Sequence, residues 1–463
     1  MPAAVAATYG YGGGYGGQAR PVAPRSVVRL HRAVAHKPVR LVVTVIDGDQ
    51  WLRVPHALVE LWGRSARTDR HGAVEIRVPW RRGLNVTVQA AGFETRTVWE
   101  QFDRFRRVTV RIYRPELQWP LYGATDSRSQ AQAHIRLRPP FHTVWAVPMG
   151  GLIEFPAVVD QGVAYIGNAK ATVRAISMLS GRVLWRHDTP HAAMASSPAV
   201  AGRDLVYHSL DGHVYVLDRG TGTLRWSYGI GSPIESSPIV LDGVDYFGAW
   251  NGRLYALDLR RRRLRWTRDL GAKITSSASI VSGTLYIGDY CGRLWALSAR
   301  TGRTGWTRSV NGRIYGTPAV AAGRVFVPSS SGDSLTAFTT GGSYLWRIQT
   351  GAYVYSSPAV WGRRVFFGSY NGVFYGASAA SGRILWTVRT GGPISGAAAV
   401  VDGIAYAGSF ANRIVGVDAR TGRVRVWFGH GEYAAVSGNG MQLLFHGYST
   451  LYAVQSRPAP HAG

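Results

Sequence analysis

Few residues in this chain could do chemistry, and their spacing excludes most of the familiar kinds. His134, His142, His187, His191, His208, His213, His430 and His446 show no metal-ligand spacing. His187 and His191 are four apart, but in a proline-containing loop rather than on one face of a helix. The sole cysteine, Cys291, excludes an internal disulfide, a Cys-ligated zinc finger and a Cys-x-x-Cys redox pair, and no histidine motif beside it would activate it as a nucleophile. No glycine-rich phosphate loop, Gly-x-Ser-x-Gly elbow or helical His-Glu-x-x-His occurs. The carboxylates lie singly among turns, whereas calcium needs several convergent oxygens. Two kinds of residue remain that recur at equivalent places. They are aromatics, which suit a peptide, glycan or ring-bearing ligand, and arginines, which suit an anionic surface.

Position decides what either set can do, and a repeat fixes position. Tryptophan recurs at 145, 185, 226, 266, 306, 346, 386 and 427, at intervals of 40 or 41 residues. After each comes a Pro- or Ala-centred run such as SSPAV (196–200), SSPIV (236–240), GTPAV (316–320) or GAAAV (396–400). An aromatic run (VDYFG, TLYIG, RVFFG), a third run (RLYALD, RLWALS) and a Thr-Gly or Ser-Gly turn then lead to the next tryptophan. Four short strands in about 40 residues make one propeller blade. Eight units fit between 141 and 456. The first opens on a Trp strand (HTVW, 142–145) and the last ends on a third strand (LYAV, 451–454), so pairing the two ends closes the ring and leaves no free edge. The eight tryptophans Trp145, Trp185, Trp226, Trp266, Trp306, Trp346, Trp386 and Trp427 are expected to form a structural ladder.

Antiparallel strands send alternate turns to opposite faces. The turns between second and third strands place Trp250, Tyr290, Tyr370 and Phe410 at equivalent positions, and the loops between blades add Tyr315, Tyr353 and Tyr355 on the same face, a candidate ligand-binding rim. The opposite face gathers arginines, with Arg260, Arg261, Arg262, Arg263, Arg363 and Arg364 as candidates for an anionic surface. The chain carries 53 Lys and Arg against 26 Asp and Glu, a net charge of +27, with lysine only at 37, 170 and 273. An arginine-rich composition alone would give the same excess, and no nucleic-acid motif accompanies it.

Ahead of the repeat, residues 1–38 hold no acid and several prolines and are expected to be a flexible basic tail. Residues 39–115 alternate with period two, as in LVVTVI (41–46), ALVELW (57–62), AVEIRV (73–78), LNVTVQA (84–90) and RVTVRIY (107–113), which predicts a small antiparallel β-sandwich. Residues 116–140 are expected to be a linker, 141–456 the propeller, and 457–463 a short tail. The whole is an all-β chain. No stretch approaches the ~20 apolar residues of a membrane span, and residues 1–20 lack the basic-then-apolar order of a signal peptide; a start upstream of Met1 would hide one.

Two resemblances add to this reading. The segment VPHALVELWGRSARTDRHGAVEIRVP (54–79) followed by VTVQAAGFE (86–94) resembles the carboxypeptidase regulatory-like, or transthyretin-like, module, with Thr68, Asp69 and Gly72 matching its turn and Gly92 its Gly-aromatic step. Such modules act as spacers or adhesive domains. The repeat resembles the quinoprotein, or pyrroloquinoline-quinone-like, propeller family, whose motif Ala-x-Asp-x-x-Thr-Gly-x-x-x-Trp appears as VLDRGTGTLRW (216–226) and ALSARTGRTGW (296–306). The copy at 337–346 is one residue short and GVDARTGRVRVW, ending at Trp427, one long. WPLYGATD (119–126) looks like the lead-in found before many such propellers. The resemblance implies one of two roles: a dehydrogenase holding pyrroloquinoline quinone beside calcium, or a non-catalytic envelope scaffold of the BamB-like branch. Uniform blades and a lone cysteine favour the second, with no cofactor, a protein or cell-envelope polymer as partner, an extracytoplasmic setting and a monomeric state. A quinone-dependent alcohol or sugar dehydrogenase, and electrostatic adhesion to anionic polymers or membranes, are the alternatives.

Overall fold

The computed structural model describes residues 38–79, 83–103, 106–190 and 192–457. Of the tail expected over 1–38 only Pro38 falls within these, as the first residue of a strand; residues 1–37, His191 and residues 458–463 lie outside them. The described chain is all β apart from one 3-10 turn, Pro115–Leu117.

Seven strands form the N-terminal sandwich. One sheet has the order Ala73–Pro79, Pro38–Asp47, Arg107–Ile112; the other runs Arg64–Arg67, Leu58–Leu61, Gly83–Gln89, Arg96–Gln101. Period-two alternation puts Leu41, Val43, Val45, Val59, Leu61, Ile76, Val78, Val86 and Val88 into one core. The 68–72 turn is built as its residues require. Thr68 Oγ1 donates to the Val54 carbonyl and accepts from Ala57 N–H, Asp69 Oδ1 accepts from His71 and Ala73 N–H, and Gly72 has φ +68°. The sandwich departs from the expectation in one pair: Pro38–Asp47 and Arg107–Ile112 run parallel, with Val42 opposite Arg107. The preceding strand, Arg96–Gln101, belongs to the other sheet, so the chain crosses over before Arg107, and a crossover permits parallel pairing where a hairpin does not.

Eight four-stranded blades follow, the first being Val158–Asp160, Val163–Gly167, Thr172–Ser177 and Val183–Asp188 from the axis outward. The last takes Gly431–Gly438, Leu443–Gly447 and Thr450–Ser456 from the end of the repeat and its outer strand, Phe141–Pro148, from the start. Ala453 sits opposite Trp145 in that closing pair.

The tryptophan ladder welds each blade to the next. Trp145, Trp185, Trp266, Trp306, Trp346 and Trp386 lie on the turn glycines Gly181, Gly222, Gly302, Gly342, Gly382 and Gly422 of the following blade, where any Cβ would come within 3.0 Å of the ring. The indole N–H of each of the six donates to a backbone carbonyl there, at 2.9 to 3.2 Å. Beneath Trp226 the repeat has no glycine. Arg262 takes its place at φ 54°, with its guanidinium 5.8 Å from the ring centroid.

Trp427 is not a rung, contrary to the expectation from spacing. Val426 faces Gly416 and is buried, while Trp427 is 53% exposed with the Arg413 guanidinium 4.7 Å from its ring. The extra residue in the seventh motif turns the tryptophan to the other face of its strand. The closure gives the reason: the third and fourth strands of the eighth blade come from opposite ends of the repeat, so no connecting turn exists there for Trp427 to rest on.

The segment expected to be a linker instead fills the channel. Trp119 exchanges two backbone hydrogen bonds with Val159, and carbonyls of Pro120, Asp126, Ser127, Ser129 and Gln130 accept from Val200 in the second blade and Ile280, Val320, Val360 and Val400 in the fourth to seventh. Ala131–Gln132 then pairs in parallel with Ala399–Val401. Arg128, fully buried, binds the third blade. It donates to the carbonyls of Tyr122, Ser237, Pro238 and Ala278, and burial brings its pKa down to about 10. Innermost strands have one unpaired side, and this plug satisfies it.

Candidate functional site

The plug gives the propeller a closed floor and leaves a funnel open on one face. A belt of hydroxyls links the second to sixth blades around the axis above the plug: the N–H groups of Ser197, Ser237, Ser277 and Thr317 donate to Ser237 Oγ, Ser277 Oγ, Thr317 Oγ1 and Ser357 Oγ of the next blade, at 2.8 to 3.1 Å. The Tyr122 hydroxyl joins the plug to this belt through Ser357 Oγ at 2.9 Å. The second Ser or Thr of each SSP-like run thus has a defined task, tying neighbouring blades together at the channel.

Every expected rim aromatic lies on this face. The backbone N–H groups of Trp250, Tyr290, Tyr370 and Phe410 donate to Pro233, Lys273, Tyr353 and Pro393 in the loops between blades, which fixes the four at equivalent places. Their rings do more than cover their own hairpins. Tyr315 meets Tyr355 at 5.2 Å between centroids, Tyr355 meets Tyr353 at 5.7 Å and Tyr370 at 5.2 Å, Tyr370 meets Phe410 at 5.8 Å, and Phe410 meets Tyr433 at 4.7 Å. This arc runs across four inter-blade boundaries. Trp250 and Tyr290 stand apart from it and share one cation, the Lys273 ammonium, 3.3 Å from the first ring centroid and 5.0 Å from the second. Trp250 and Tyr353 are 39% and 48% exposed.

The centre of the funnel carries groups that the turn pattern alone did not reveal. Glu235 accepts from Trp250 Nε1 at 2.9 Å and from the Tyr315 hydroxyl at 2.6 Å. Glu154 faces the same space, its pKa pushed up to about 7 by burial and then by the charge of Glu235. Tyr122, Phe155, Thr275, Tyr315, Tyr355 and Tyr433 complete the walls around a cavity of about 40 Å³. A signal for several of these existed in the repeat. Stepping by the 40-residue spacing of the hydroxyl belt from Tyr355 through Tyr315 passes Thr275, Glu235 and Phe155, a single column lining the funnel. Glu154 and Tyr433 lie off that column.

The opposite face holds the arginines, with a correction to their expected availability. Arg261 pairs with Asp258 at 3.0 Å, and Arg262 covers Trp226; Arg260, Arg263 and Arg363 are exposed and Arg364 half-buried. Asp160, Asp204, Asp218, Asp258, Asp402 and Asp418 of this face are each engaged by an arginine. Its acids therefore organise its turns.

Among histidines, His208 is fully buried, with Nδ1 2.6 Å from the Ser236 carbonyl and Nε2 2.8 Å from Asp245 Oδ2, an internal clamp remote from solvent. Among the described residues no group of three or more His, Cys, Asp or Glu could hold a metal ion, and Cys291 is a free thiol in the rim turn.

A family model described as outer membrane protein assembly factor BamB matches three overlapping stretches, 142–279, 250–347 and 292–428, together more than half of the chain. The chain belongs to the BamB family. Solved structures agree on the fold. BamB from Moraxella catarrhalis superposes with a TM-score of 0.59 at 16% identity, covering 70% of this chain and all of that one. Quinohemoprotein alcohol dehydrogenase from Comamonas testosteroni gives 0.64 at 13%, covering 75% and 82%, and the computationally designed Ika8 protein 0.60 at 18%, covering 67% and 98%. At such identities the likeness is one of fold, shared by an assembly factor, an enzyme and a design. Among curated proteins no match is found. This BamB family member has, among its described residues, no helix long and apolar enough to cross a membrane.

Proposed function

We propose that this BamB family member is a non-catalytic binding protein of the cell envelope whose aromatic face takes an extended segment of a partner protein. The N-terminal sandwich, read as a carboxypeptidase regulatory-like module, serves as a spacer joined to the propeller. Gln161 of the first blade donates to Glu94 at 2.7 Å, and Gln118 donates to Asp49 at 3.0 Å across that junction. The observation that carries the reading is the unbroken arc Tyr315–Tyr355–Tyr370–Phe410–Tyr433, with Tyr353 beside it. Rigid amphipathic rings set edge to face around a shallow funnel supply contact area at low entropic cost, as protein-binding surfaces do.

The same funnel does not fit a quinone beside calcium, the group that the dehydrogenase alternative requires. Its cavity of about 40 Å³ is far below the ~300 Å³ at which small-molecule pockets begin. Its two carboxylates supply too few oxygens for calcium, and Glu235 is already held by Trp250 and Tyr315. No reaction step is therefore assigned to the site.

Selection of a displayed random-peptide library on the full chain tests the proposal. Peptides should enrich whose Kd rises at least 10-fold when Tyr370→Ala and Phe410→Ala are combined, with the melting temperature held within a few degrees. No enrichment, or peptides indifferent to both changes, would remove the reading.

A further inference from the structure

The centre of the aromatic face is chemically unlike its rim. The arc of rings surrounds two carboxylates, Glu154 and Glu235, and no cationic side chain is among the residues lining the cavity. Glu235 is satisfied by two donors. Nothing donates to Glu154: only burial and the charge of Glu235 act on its carboxyl, and both disfavour its ionised form. In the same wall no donor reaches this half-buried acid, which faces one small space beside a second carboxylate. Such a group is costly to leave unpaired, and a ligand supplying positive charge and N–H donors would satisfy it.

The walls fit the same ligand. Tyr315, Tyr355, Tyr433, Phe155 and Tyr122 present rings to the cavity, and ring faces attract cations. The rim already holds one such contact in the Lys273 ammonium between Trp250 and Tyr290. Size permits it. The cavity of about 40 Å³ exceeds the ~10–15 Å³ that one water needs, so it has room for an ammonium with part of its alkyl stem.

We propose that the funnel is a receptor for a primary alkylammonium group, the side-chain terminus of a lysine presented by the partner, held between the Glu154 and Glu235 carboxylates and the tyrosine walls. This rests on the protein-binding reading and names the residue in the partner that the funnel selects.

The test uses the full chain and two probes of nearly equal shape, n-butylammonium chloride and n-butanol, followed by calorimetry and tyrosine-region NMR shifts. n-Butylammonium should saturate with a Kd at least 10-fold below that of n-butanol. Glu154→Gln should weaken n-butylammonium at least 10-fold and leave n-butanol unchanged, while Tyr355→Leu should weaken it by a smaller factor. Tyr344→Ala, 58% exposed on an outer strand away from the cavity, should leave both probes alone. Equal binding of the two probes, or wild-type binding of n-butylammonium by Glu154→Gln, would overturn the inference. The two readings fail separately. Rim-dependent peptides that keep their affinity when each lysine becomes glutamine would overturn the lysine receptor alone; n-butylammonium binding with no peptide enrichment would overturn the protein-binding reading.

Discussion

Trp386→Ala and Trp427→Ala remove the same side chain from adjacent rungs of one sequence pattern, yet their costs should differ several-fold. Trp386 is 9% exposed, lies on Gly422 and donates to the Ala419 carbonyl at 3.2 Å. Burying ~200 Å² of ring at ~25 cal/mol/Å² gives about 5 kcal/mol gross, and measured Trp→Ala losses in cores run at roughly 3–5 kcal/mol. Trp427 is 53% exposed, and the space left by its truncation fills with water, so no cavity forms. Its loss removes a partial burial and the Arg413 contact, together about 1–2 kcal/mol. At ~2 °C per kcal/mol for a domain of this size, thermal unfolding at one scan rate should show a fall of roughly 6–10 °C for Trp386→Ala and no more than about 4 °C for Trp427→Ala. Equal falls, or a larger one for Trp427→Ala, would refute the argument that closure of the ring leaves Trp427 without a docking turn.

Three further outcomes follow from the same geometry. Arg128→Met strips the donors from four buried carbonyls and should cost roughly 3–5 kcal/mol; hydrogen exchange should accelerate first at the amides of Ile280, Val320, Val360 and Val400, which donate to the plug, and unchanged exchange there would show the plug is not anchored by Arg128. Burial pushes the carboxyls of Asp49 and Glu154 up to about 7, so the folded state holds their protons more tightly than the unfolded chain; their contribution is fully present at low pH, falls as pH rises from about 4 through 7, and should make melting temperature higher at pH 5.5 than at pH 8, with a smaller difference in Glu154→Gln. Arg262→Gly relieves a left-handed non-glycine residue worth about 1 kcal/mol while losing a cation–π contact of ~0.5–1 kcal/mol, so urea unfolding should change by under about 0.5 kcal/mol.

The spacing of tryptophans made the blades, their number and their closure legible, because each rung needs a ring and a tight turn, glycine in six of seven, at fixed separation, and a periodic constraint leaves a periodic trace. The rim was legible for the same reason: Trp250, Tyr290, Tyr370 and Phe410 occupy one turn position, each held by a bond to the preceding loop. What periodicity cannot carry went unseen. The plug at 119–132 has irregular backbone, with Ala124, Arg128 and Gln130 at positive φ, and its partners are spread over residues 159 to 401. Its sequence therefore has no strand pattern of its own. Trp427 misled because one inserted residue preserves the interval and reverses the face. Glu154 and Glu235 looked like solitary acids until the loops converged on the axis. The two edge strands of the four-stranded sheet of the sandwich, Arg64–Arg67 and Arg96–Gln101, bury too few apolar residues to register as alternation.

The central proposal is that this propeller binds through its rings rather than through a redox cofactor. It is tested most directly by calorimetric and absorbance titration of the full chain with pyrroloquinoline quinone, with and without calcium. The account predicts no saturable binding up to high micromolar quinone in either condition, and no dye reduction with alcohols or sugars. Saturable calcium-dependent binding at micromolar affinity or tighter would contradict it and make the funnel a cofactor site.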